Sequence, residues 1–504
     1  MKEKYLKIKK LFDLAFQSYK RNNLIDAENL YKEILEINPN DVATLNNLGI
    51  VFKDTRKYDE AIFYFEKALT IKPQDIITNY NLGLLFKELE KFQKSISFYE
   101  KVIKIDSKHI QSYHDLMDIY EQTNNYEKLK KIIAEAKNFL KNNSIIKLYE
   151  GNLLYKNKKI KEAVNKLESF SFDAHKVQQE RFRISILGKC YDFLKNADKA
   201  FDYFVKANDL SFELKTNNIG KDLYLKQIAN KLKFFKKFKK EKCNVLENSD
   251  SRPDPIFMIG FPRSGTTLLD TILSSHPSIE VIEEKPMVDK LIYSLNELTE
   301  NNYENLKEIK IDQIKKIRNV YFENLDTYVQ NNHNSKIYID KLPLNIIHVG
   351  EIYRIFPKAK FILSLRHPCD CVLSCFMQDF ELNNAMANFL NLEDSAKLYD
   401  QVMKLWTQYT SIFPINYHEV KYENIILDFE PTIKLVLDFL GLSWDKSVLE
   451  YYKTAKKKDK INTPSYDQVI KPIYSEAAGR WKIYNKQIKN IYPILEPWIK
   501  KFNY

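Results

Sequence analysis

A repeat of 34 positions in the first half of the chain constrains its fold more than any other feature. Pro39 and Pro73 lie 34 positions apart, and Gly49 and Gly83 keep the same interval. A fixed period of this length is typical of antiparallel helix pairs that stack into a solenoid. Within one pair, Gly49 and Ala61 are twelve positions apart, where two helices are expected to approach closely. The first half is therefore predicted to be all-α.

The period is that of tetratricopeptide repeats. Residues 42–75 and 76–109 are the clearest copies, and we expect about six helix pairs over residues 8–211. Three aromatic residues recur at the repeat interval and are predicted to form inter-helix core: Tyr31, Phe65 and Tyr99. Such an array presents a concave groove. We expect this groove to bind a peptide, a protein or a second copy of this chain in a homodimer. The alternative is that the array is an inert helical spacer.

Residues 212–252 are predicted to be a basic helical connector that ends in a boundary loop. Its lysine-rich stretch, residues 231–240, has phenylalanines at spacings of three and four. That spacing favours a helix packed on the next domain with its lysines in water, and a membrane-surface or nucleic-acid helix is the alternative. The remainder, residues 253–504, is predicted to be a second domain, because 504 residues exceed what one core usually serves.

The formal net charge of +12 favours polyanionic partners without choosing among them. The five cysteines do not form a disulfide framework, and the crowded Cys369, Cys371 and Cys375 lack a second cluster that would complete a metal site. We therefore expect no metal and a reducing, cytoplasmic compartment. The first residues are charged without an apolar stretch, and no run of about 18 apolar residues occurs, so neither a signal peptide nor a membrane span is predicted.

An apolar run that ends at Gly260 is followed by a tight polar loop and then by an apolar helix. A strand, a glycine-bearing turn and a helix N-terminus together form a cradle for phosphate groups. Gly260 and Gly265 have the spacing of a nucleotide-binding P-loop, but Thr266 stands where that motif requires lysine. The positive charge lies instead at Arg263. The sequence thus predicts an anion site, and a magnesium-dependent kinase is disfavoured.

Strand-like runs at residues 256–259, 337–339, 360–365 and 417–422 alternate with helical segments. The alternation predicts an α/β domain with a parallel sheet, whose ligands bind beyond the carboxyl ends of the strands. Arg366 follows the third run, and Ser374 lies eight positions later on the next helix. A guanidinium and a hydroxyl placed in this way suit a phosphate monoester.

The loop Pro262–Thr267 resembles the 5′-phosphosulfate loop of sulfotransferases, and Arg366 with Ser374 resembles their 3′-phosphate motif. The resemblance covers about residues 255–485, and several segments are similar to tyrosylprotein sulfotransferases in particular. It implies that the donor is 3′-phosphoadenosine 5′-phosphosulfate. The residues that it implies in donor binding are Arg263, Ser264, Gly265, Thr266, Thr267, Arg366, Ser374, Tyr422, Ser465, Gln468, Lys471 and Arg480.

The same resemblance implies catalytic roles for Glu284 as base and for Lys341 and Arg263 as cations on the leaving phosphate. His276 is a competing base, although its place directly after an apolar helix indicates a structural cap. Pro464 and Pro286 replace a serine and an arginine of the tyrosylprotein enzymes. The acceptor hydroxyl therefore stays open between a protein or peptide recruited by the repeats and a sugar, lipid or other small molecule. A repeat scaffold that only senses a nucleotide is the non-enzymatic alternative.

Overall fold

The computed structural model describes residues 2–214, 219–238, 252–329, 337–457 and 478–504. Contacts divide the chain into two compact units, residues 1–173 and residues 174–504. The first is all-helical, and the second is built on a five-stranded parallel sheet. The predicted fold class, a helix-pair array followed by an α/β domain with a parallel sheet, is confirmed. The domain bounds given above stay a prediction.

The first unit consists of antiparallel helices joined by short turns. In order these are α1 (Lys2–Lys20), α2 (Leu24–Ile37), α3 (Val42–Asp54), α4 (Tyr58–Ile71), α5 (Ile76–Glu88), α6 (Phe92–Ile105), α7 (Ile110–Gln122), α8 (Tyr126–Phe139), α9 (Ser144–Lys156) and α10 (Ile160–Glu168).

The 34-residue period is visible in the backbone of this unit. Each turn within a pair contains one residue with φ between 53° and 60°, and these residues are Asn22, Arg56, Glu90, Asn124 and Lys158. Asp41 and Asp75, again 34 apart, accept hydrogen bonds from backbone N–H groups in the first turns of α3 and α5. The repeat therefore specifies both the turns within pairs and the helix starts.

The glycines of the repeat leave room for a side chain sixteen positions later. A Cβ at Gly83 would lie 2.5 Å from the Tyr99 ring, and one at Gly49 would lie 2.7 Å from the Phe65 ring. The small residue twelve positions after Gly83 is Ser95, whose Oγ donates to the carbonyl of Gly83 at 2.7 Å. The three aromatic residues predicted to be core are buried, as expected.

The second unit begins with three helices, α11 (Val177–Phe193), α12 (Ala197–Glu213) and α13 (Lys221–Lys236). The pair α11 and α12, which the period assigns to the array, thus groups with the second unit by its contacts. The Asn208 amide of α12 donates to the carbonyl of Phe376 at 3.0 Å, and Phe201 stacks on Phe376.

The sheet has the order β2-β3-β1-β4-β5, and all of its strand pairs are parallel. The strands are β1 (Ile256–Gly260), β2 (Ile279–Glu283), β3 (Ile337–Lys341), β4 (Lys360–Leu365) and β5 (Asn416–Lys421). The sequence pattern does not predict β2. It is a five-residue edge strand that carries two glutamates, so its apolar signal is weak.

Helices follow the strands and cover both faces of the sheet. They are α14 (Thr266–Leu273), α15 (Met287–Leu298), α16 (Ile311–Tyr328), α17 (Val349–Ile355), α18 (Pro368–Phe376), α19 (Leu392–Ile412), α20 (Tyr422–Leu427), α21 (Phe429–Leu440), α22 (Tyr451–Lys457), α23 (Asn485–Ile488) and α24 (Tyr492–Lys501). Met258 and Ile362 pack on one face with residues of α14 and α21, and Phe257 contacts Tyr321 of α16 on the other. None of the helices in the described ranges combines the length and apolarity that a membrane span needs.

The phenylalanines of α13 are buried, which confirms that this helix is packed. The expectation that its lysines lie in water is wrong for one of them. Lys231 is fully buried, and its ammonium lies 2.5 Å from the Glu351 carboxylate of α17. It also donates to the carbonyl of Ile347 at 2.9 Å. Attraction to the ammonium and the contact with His348 outweigh burial and lower the pKa of Glu351 to about 2, so this carboxyl group is ionised at neutral pH. Burial in turn lowers the pKa of Lys231 from its ordinary value.

We expect Gly83→Ala to destabilise the first unit by about 1–3 kcal/mol, because the added methyl group meets the Tyr99 ring. Urea unfolding followed by far-ultraviolet circular dichroism measures the loss. Thr70→Ala, on an exposed position of α4, is the matched control and should change stability little. Equal midpoints for the two variants would contradict the packing argument.

We expect Lys231→Met to destabilise the second unit by about 3–5 kcal/mol, because it leaves the Glu351 carboxylate buried without its cation. The double variant Lys231→Met/Glu351→Met should lose less, since it removes both charges. Lys236→Met, which changes an exposed lysine of the same helix, is the control. Chemical denaturation of all variants provides the comparison, and a double variant no more stable than Lys231→Met would rule out an ion-pair origin.

Candidate active site

The polar residues singled out in the second half converge at the carboxyl edge of the sheet. Glu283 ends β2, Lys341 ends β3, and Arg366 directly follows β4. The loop of residues 261–265 follows β1, which pairs with both β3 and β4. Tyr422 follows β5. In open parallel sheets ligands bind at this edge, so the topology brings these groups to the expected place.

The loop after β1 closes tightly on its neighbours. A Cβ at Gly260 would lie 2.6 Å from the carbonyl oxygen of Ser364, and Gly265 has φ 98° at the start of α14. Arg263 also has a positive φ, 68°. Left-handed residues in such a loop turn successive backbone N–H groups toward one point, which suits an anion. Ser264 is 1% exposed, and its hydroxyl has no hydrogen-bond partner among the described residues.

The structure brings Arg263, Arg366 and Ser374 together. Arg263 Nε donates to Ser374 Oγ at 3.1 Å, and Arg366 Nη1 donates to the backbone carbonyl of Arg263 at 3.2 Å. The Arg366 guanidinium also lies over the Tyr422 ring, 5.0 Å from its centre. Two guanidinium groups, a hydroxyl and an aromatic ring therefore surround one region beside the loop. Their part in donor binding stays a prediction.

A cysteine of α18 contacts the loop that follows β1. The Cys375 thiol donates to the carbonyl of Pro262 at 3.3 Å. Burial raises the pKa of the Cys369 thiol to about 12 and holds the pKa values of Cys371 and Cys375 well above the ordinary range. These groups are buried thiols at neutral pH. Over the described ranges, no group of three or more histidines, cysteines and carboxylates is placed to hold a metal ion.

Lys341 is fully buried between the two glutamates at the end of β2. Its ammonium donates to Glu284 Oε1 at 2.9 Å and to Glu283 Oε1 at 3.2 Å. Burial alone would lower the pKa of Lys341, but Glu284, Glu283 and Asp270 of α14 outweigh it and raise that pKa above its ordinary value. Lys341 is therefore charged, and Glu284, whose side chain is 35% exposed, is the carboxylate that faces solvent.

Parts of the chain match known protein families. Residues 255–446 match the model of the sulfotransferase family, and residues 42–75 and 77–109 match tetratricopeptide repeats. The chain combines tetratricopeptide repeats with a sulfotransferase domain. The predicted resemblance is thereby confirmed.

Similar proteins cover parts of the chain. An uncharacterized protein of Aquifex aeolicus (strain VF5) is 29% identical over 63% of this chain and 41% of its own length. Protein-tyrosine sulfotransferase 2 of Gallus gallus is 24% identical over 47% of this chain and 66% of its own. Protein-tyrosine sulfotransferase of Drosophila melanogaster is 23% identical over 45% of this chain and 46% of its own. The chain spans less than two thirds of the length of each.

In the structure the Arg480 side chain contacts α11. Its guanidinium forms a two-pronged ion pair with Asp192, at 2.9 Å from Nε and 2.6 Å from Nη2, and the Tyr484 hydroxyl donates to the same carboxylate. Asp370 of α18 accepts the backbone N–H groups of Gly479 and Trp481. Sequence reasoning missed Asp192, because nothing local marks a residue that pairs 288 positions away. Ser465, Gln468 and Lys471 lie outside the described residues.

His276, the competing base of the sulfotransferase domain, has structural contacts. Its side chain accepts a hydrogen bond from the backbone N–H of Ser278 at 3.1 Å, and its other ring nitrogen lies 3.2 Å from the carbonyl of Ser443. These are the contacts of a buried cap after α14, as its position in the sequence indicates.

The neighbour of Lys341 in sequence, Asp340, is a buried carboxyl group. The Tyr321 hydroxyl donates to its Oδ2 at 3.1 Å, and its Oδ1 has no hydrogen-bond partner in the described part of the chain. Burial raises the pKa of Asp340 to about 8. In the folded protein this group therefore keeps its proton at neutral pH, while in the unfolded chain it is ionised.

This difference predicts a pH dependence of stability that Asp340→Asn removes. Between about pH 4 and pH 8 the unfolded chain binds fewer protons at this group than the folded protein does. The free energy of unfolding of the wild type therefore falls by up to about 1.4 kcal/mol per unit of rising pH, relative to that of the variant. Denaturant unfolding of both proteins at pH 5, 6.5 and 8 measures the difference. A stability difference that stays constant over this range would show that Asp340 is ionised in the folded protein.

Proposed function

We propose that the chain is a sulfotransferase that moves a sulfuryl group from 3′-phosphoadenosine 5′-phosphosulfate to the hydroxyl of an acceptor. The observation that carries this proposal is the cradle after β1, whose loop lacks a P-loop lysine, contains Arg263 and contacts Arg366 and Ser374. A buried cation, Lys341, lies at the neighbouring strand end. Cations supplied by side chains can balance the charge of the leaving phosphate, so the proposal includes no metal.

The donor fits this site in two places. The N–H groups around Ser264 to Thr267, with the N-terminus of α14, would hold the 5′-phosphosulfate. Arg366 and Ser374 would hold the 3′-phosphate, since a phosphate monoester needs both charge and directed donors. Tyr422, whose ring lies against the Arg366 guanidinium, would contact the nucleotide. Arg480 would bind the donor either after its guanidinium leaves Asp192 or by contacting the donor while it stays paired with Asp192.

The reaction moves one proton and one group. Glu284 takes the proton of the acceptor hydroxyl, whose oxygen forms a bond to sulfur while the bond from sulfur to the 5′-phosphate breaks. The products are a sulfate ester and adenosine 3′,5′-bisphosphate, and Lys341 with Arg263 stabilises the charge on the departing phosphate. Glu284 is suited to accept the proton because it is the more exposed of the two glutamates at Lys341.

A tyrosyl hydroxyl on a protein or peptide is the acceptor that we favour. The similarity to protein-tyrosine sulfotransferases over the second half supports it, and the tetratricopeptide repeats supply a surface that recruits a protein or a second copy of the chain. Sugars, lipids and other small molecules are the competing acceptors. We place the protein in the cytoplasm, a proposal supported by the four cysteines of the described ranges, which are free and buried.

Incubation with ³⁵S-labelled donor tests the proposal. The labelled donor is incubated with a cell extract and with purified acceptors, namely tyrosine peptides, oligosaccharides and phenols. The reaction products are then separated into protein, glycan and small-molecule fractions. We expect label in protein and in tyrosine peptides. Label confined to glycans or phenols would change the acceptor class, and a protein that binds the nucleotide without transfer to any fraction would be a sensor instead of an enzyme.

Glu284→Gln should lower transfer at least about 100-fold while it binds adenosine 3′,5′-bisphosphate within about threefold of the wild type, because it removes the base and not the donor site. Arg366→Ala should instead weaken that binding at least about tenfold, because it removes a charge-assisted contact to phosphate. Transfer kinetics and isothermal titration calorimetry separate the two effects. Equal losses of binding and transfer in both variants would contradict these roles.

A further inference from the structure

The two glutamates that hold Lys341 reach it by different routes. β2 and β3 are parallel, and Glu283 is the direct register partner of Lys341. Partner residues of adjacent strands project to the same face of a sheet, so this pair would meet in any regular strand. In an extended chain the next residue, Glu284, would project to the opposite face.

Glu284 contacts the same ammonium because its backbone is left-handed. Its φ is 50°, and its N–H donates to the carbonyl of Lys341 at 2.8 Å. A residue with a long side chain adopts the left-handed region only at a cost in free energy. Such a conformation persists only where the surrounding structure enforces it. This turn places two consecutive carboxylates on one cation.

Burial distinguishes the two carboxylates. The Glu283 side chain is 13% exposed, the Glu284 side chain is 35% exposed, and Lys341 is inaccessible. Asp270 of α14 is the other carboxylate that acts on the ammonium. A buried ammonium with one counter-charge would lose it when that carboxylate accepts a proton. With Glu283 present, a second glutamate still contacts the ammonium after Glu284 is neutralised.

We propose that Glu283 is a positioning residue that holds the Lys341 ammonium charged and in place while Glu284 acts as the base. This inference rests on the proposed function, and it extends that function to a residue with no assigned role. When the acceptor proton arrives at Glu284, the charge of the three groups changes from −1 to 0, and Glu283 and Lys341 remain as a neutral pair. Lys341 can then stabilise the departing phosphate throughout the transfer.

Glu284→Gln imitates the state in which Glu284 is protonated, so the role of Glu283 can be tested on that background. The comparison is between Glu284→Gln and the double variant Glu283→Gln/Glu284→Gln. Glu284→Gln/Glu419→Gln, which removes an exposed carboxylate of β5, is the control with the same net charge. The probe is adenosine 3′,5′-bisphosphate, titrated calorimetrically at pH 6, 7.5 and 9, and every affinity is expressed relative to Glu284→Gln at the same pH.

We expect the Glu283→Gln/Glu284→Gln variant to bind as tightly as Glu284→Gln at pH 6 and at least about tenfold more weakly at pH 9, because burial lowers the pKa of Lys341 once both glutamates are gone and only Asp270 still opposes it. The control should follow Glu284→Gln throughout. A double variant that follows Glu284→Gln at every pH, or that is weaker by the same factor at every pH, overturns the inference. The second result would indicate a merely structural role.

Thermal unfolding of the same variants gives a readout that needs no ligand. A lowered folded-state pKa of Lys341 destabilises the double variant most at low pH, and the loss shrinks as pH rises toward 9. If no variant binds the nucleotide but this pH trend is present, the proposed function is wrong. The conclusion that Glu283 keeps Lys341 charged would then still be supported. If binding is normal and the trend is absent, the inference fails alone.

Discussion

The site depends on a buried ammonium held between two carboxylates. Lys341 ends β3, is inaccessible to solvent, and stays charged because Glu283 and Glu284 at the end of β2 outweigh the effect of burial on its pKa. The contact ties an edge strand to the interior of the sheet. It also fixes an ammonium beside the cradle before any ligand arrives, within a group of three charges that sums to −1 until Glu284 accepts a proton. A charge arranged in advance stabilises a developing anion without the cost of reorganising solvent, which makes it useful for transfer chemistry.

Close contacts also hold the cradle. Gly260 and Gly265 leave no room for a Cβ, so the loop packs directly on β4 and on Tyr422. Arg366 holds the loop through the carbonyl of Arg263, and Arg263 in turn contacts Ser374. The groups proposed to bind the two ends of the donor are therefore bonded to one another. A change at either end is expected to disturb the other, which single-site reasoning from the sequence does not reveal.

The sequence predicts the parts of this protein whose signals are local. The 34-residue period, the loop after β1 and the pair Arg366 and Ser374 each lie within short stretches, and the structure brings the last two together. Contacts between distant segments were not predictable in this way. β2 is a short edge strand with two glutamates, the burial of Lys231 depends on Glu351, and the placement of Arg480 depends on Asp192. Each is decided by a partner that no local pattern identifies.

A crystal structure with adenosine 3′,5′-bisphosphate would show the donor site without any knowledge of the acceptor. We expect the 5′-phosphate on the backbone N–H groups of residues 264–267, with Arg263 and Lys341 nearby. We expect the 3′-phosphate on Arg366 and Ser374. A nucleotide bound with its phosphates away from this edge of the sheet, or no binding at millimolar concentration, would contradict the assignment of the cradle to a phosphosulfate donor.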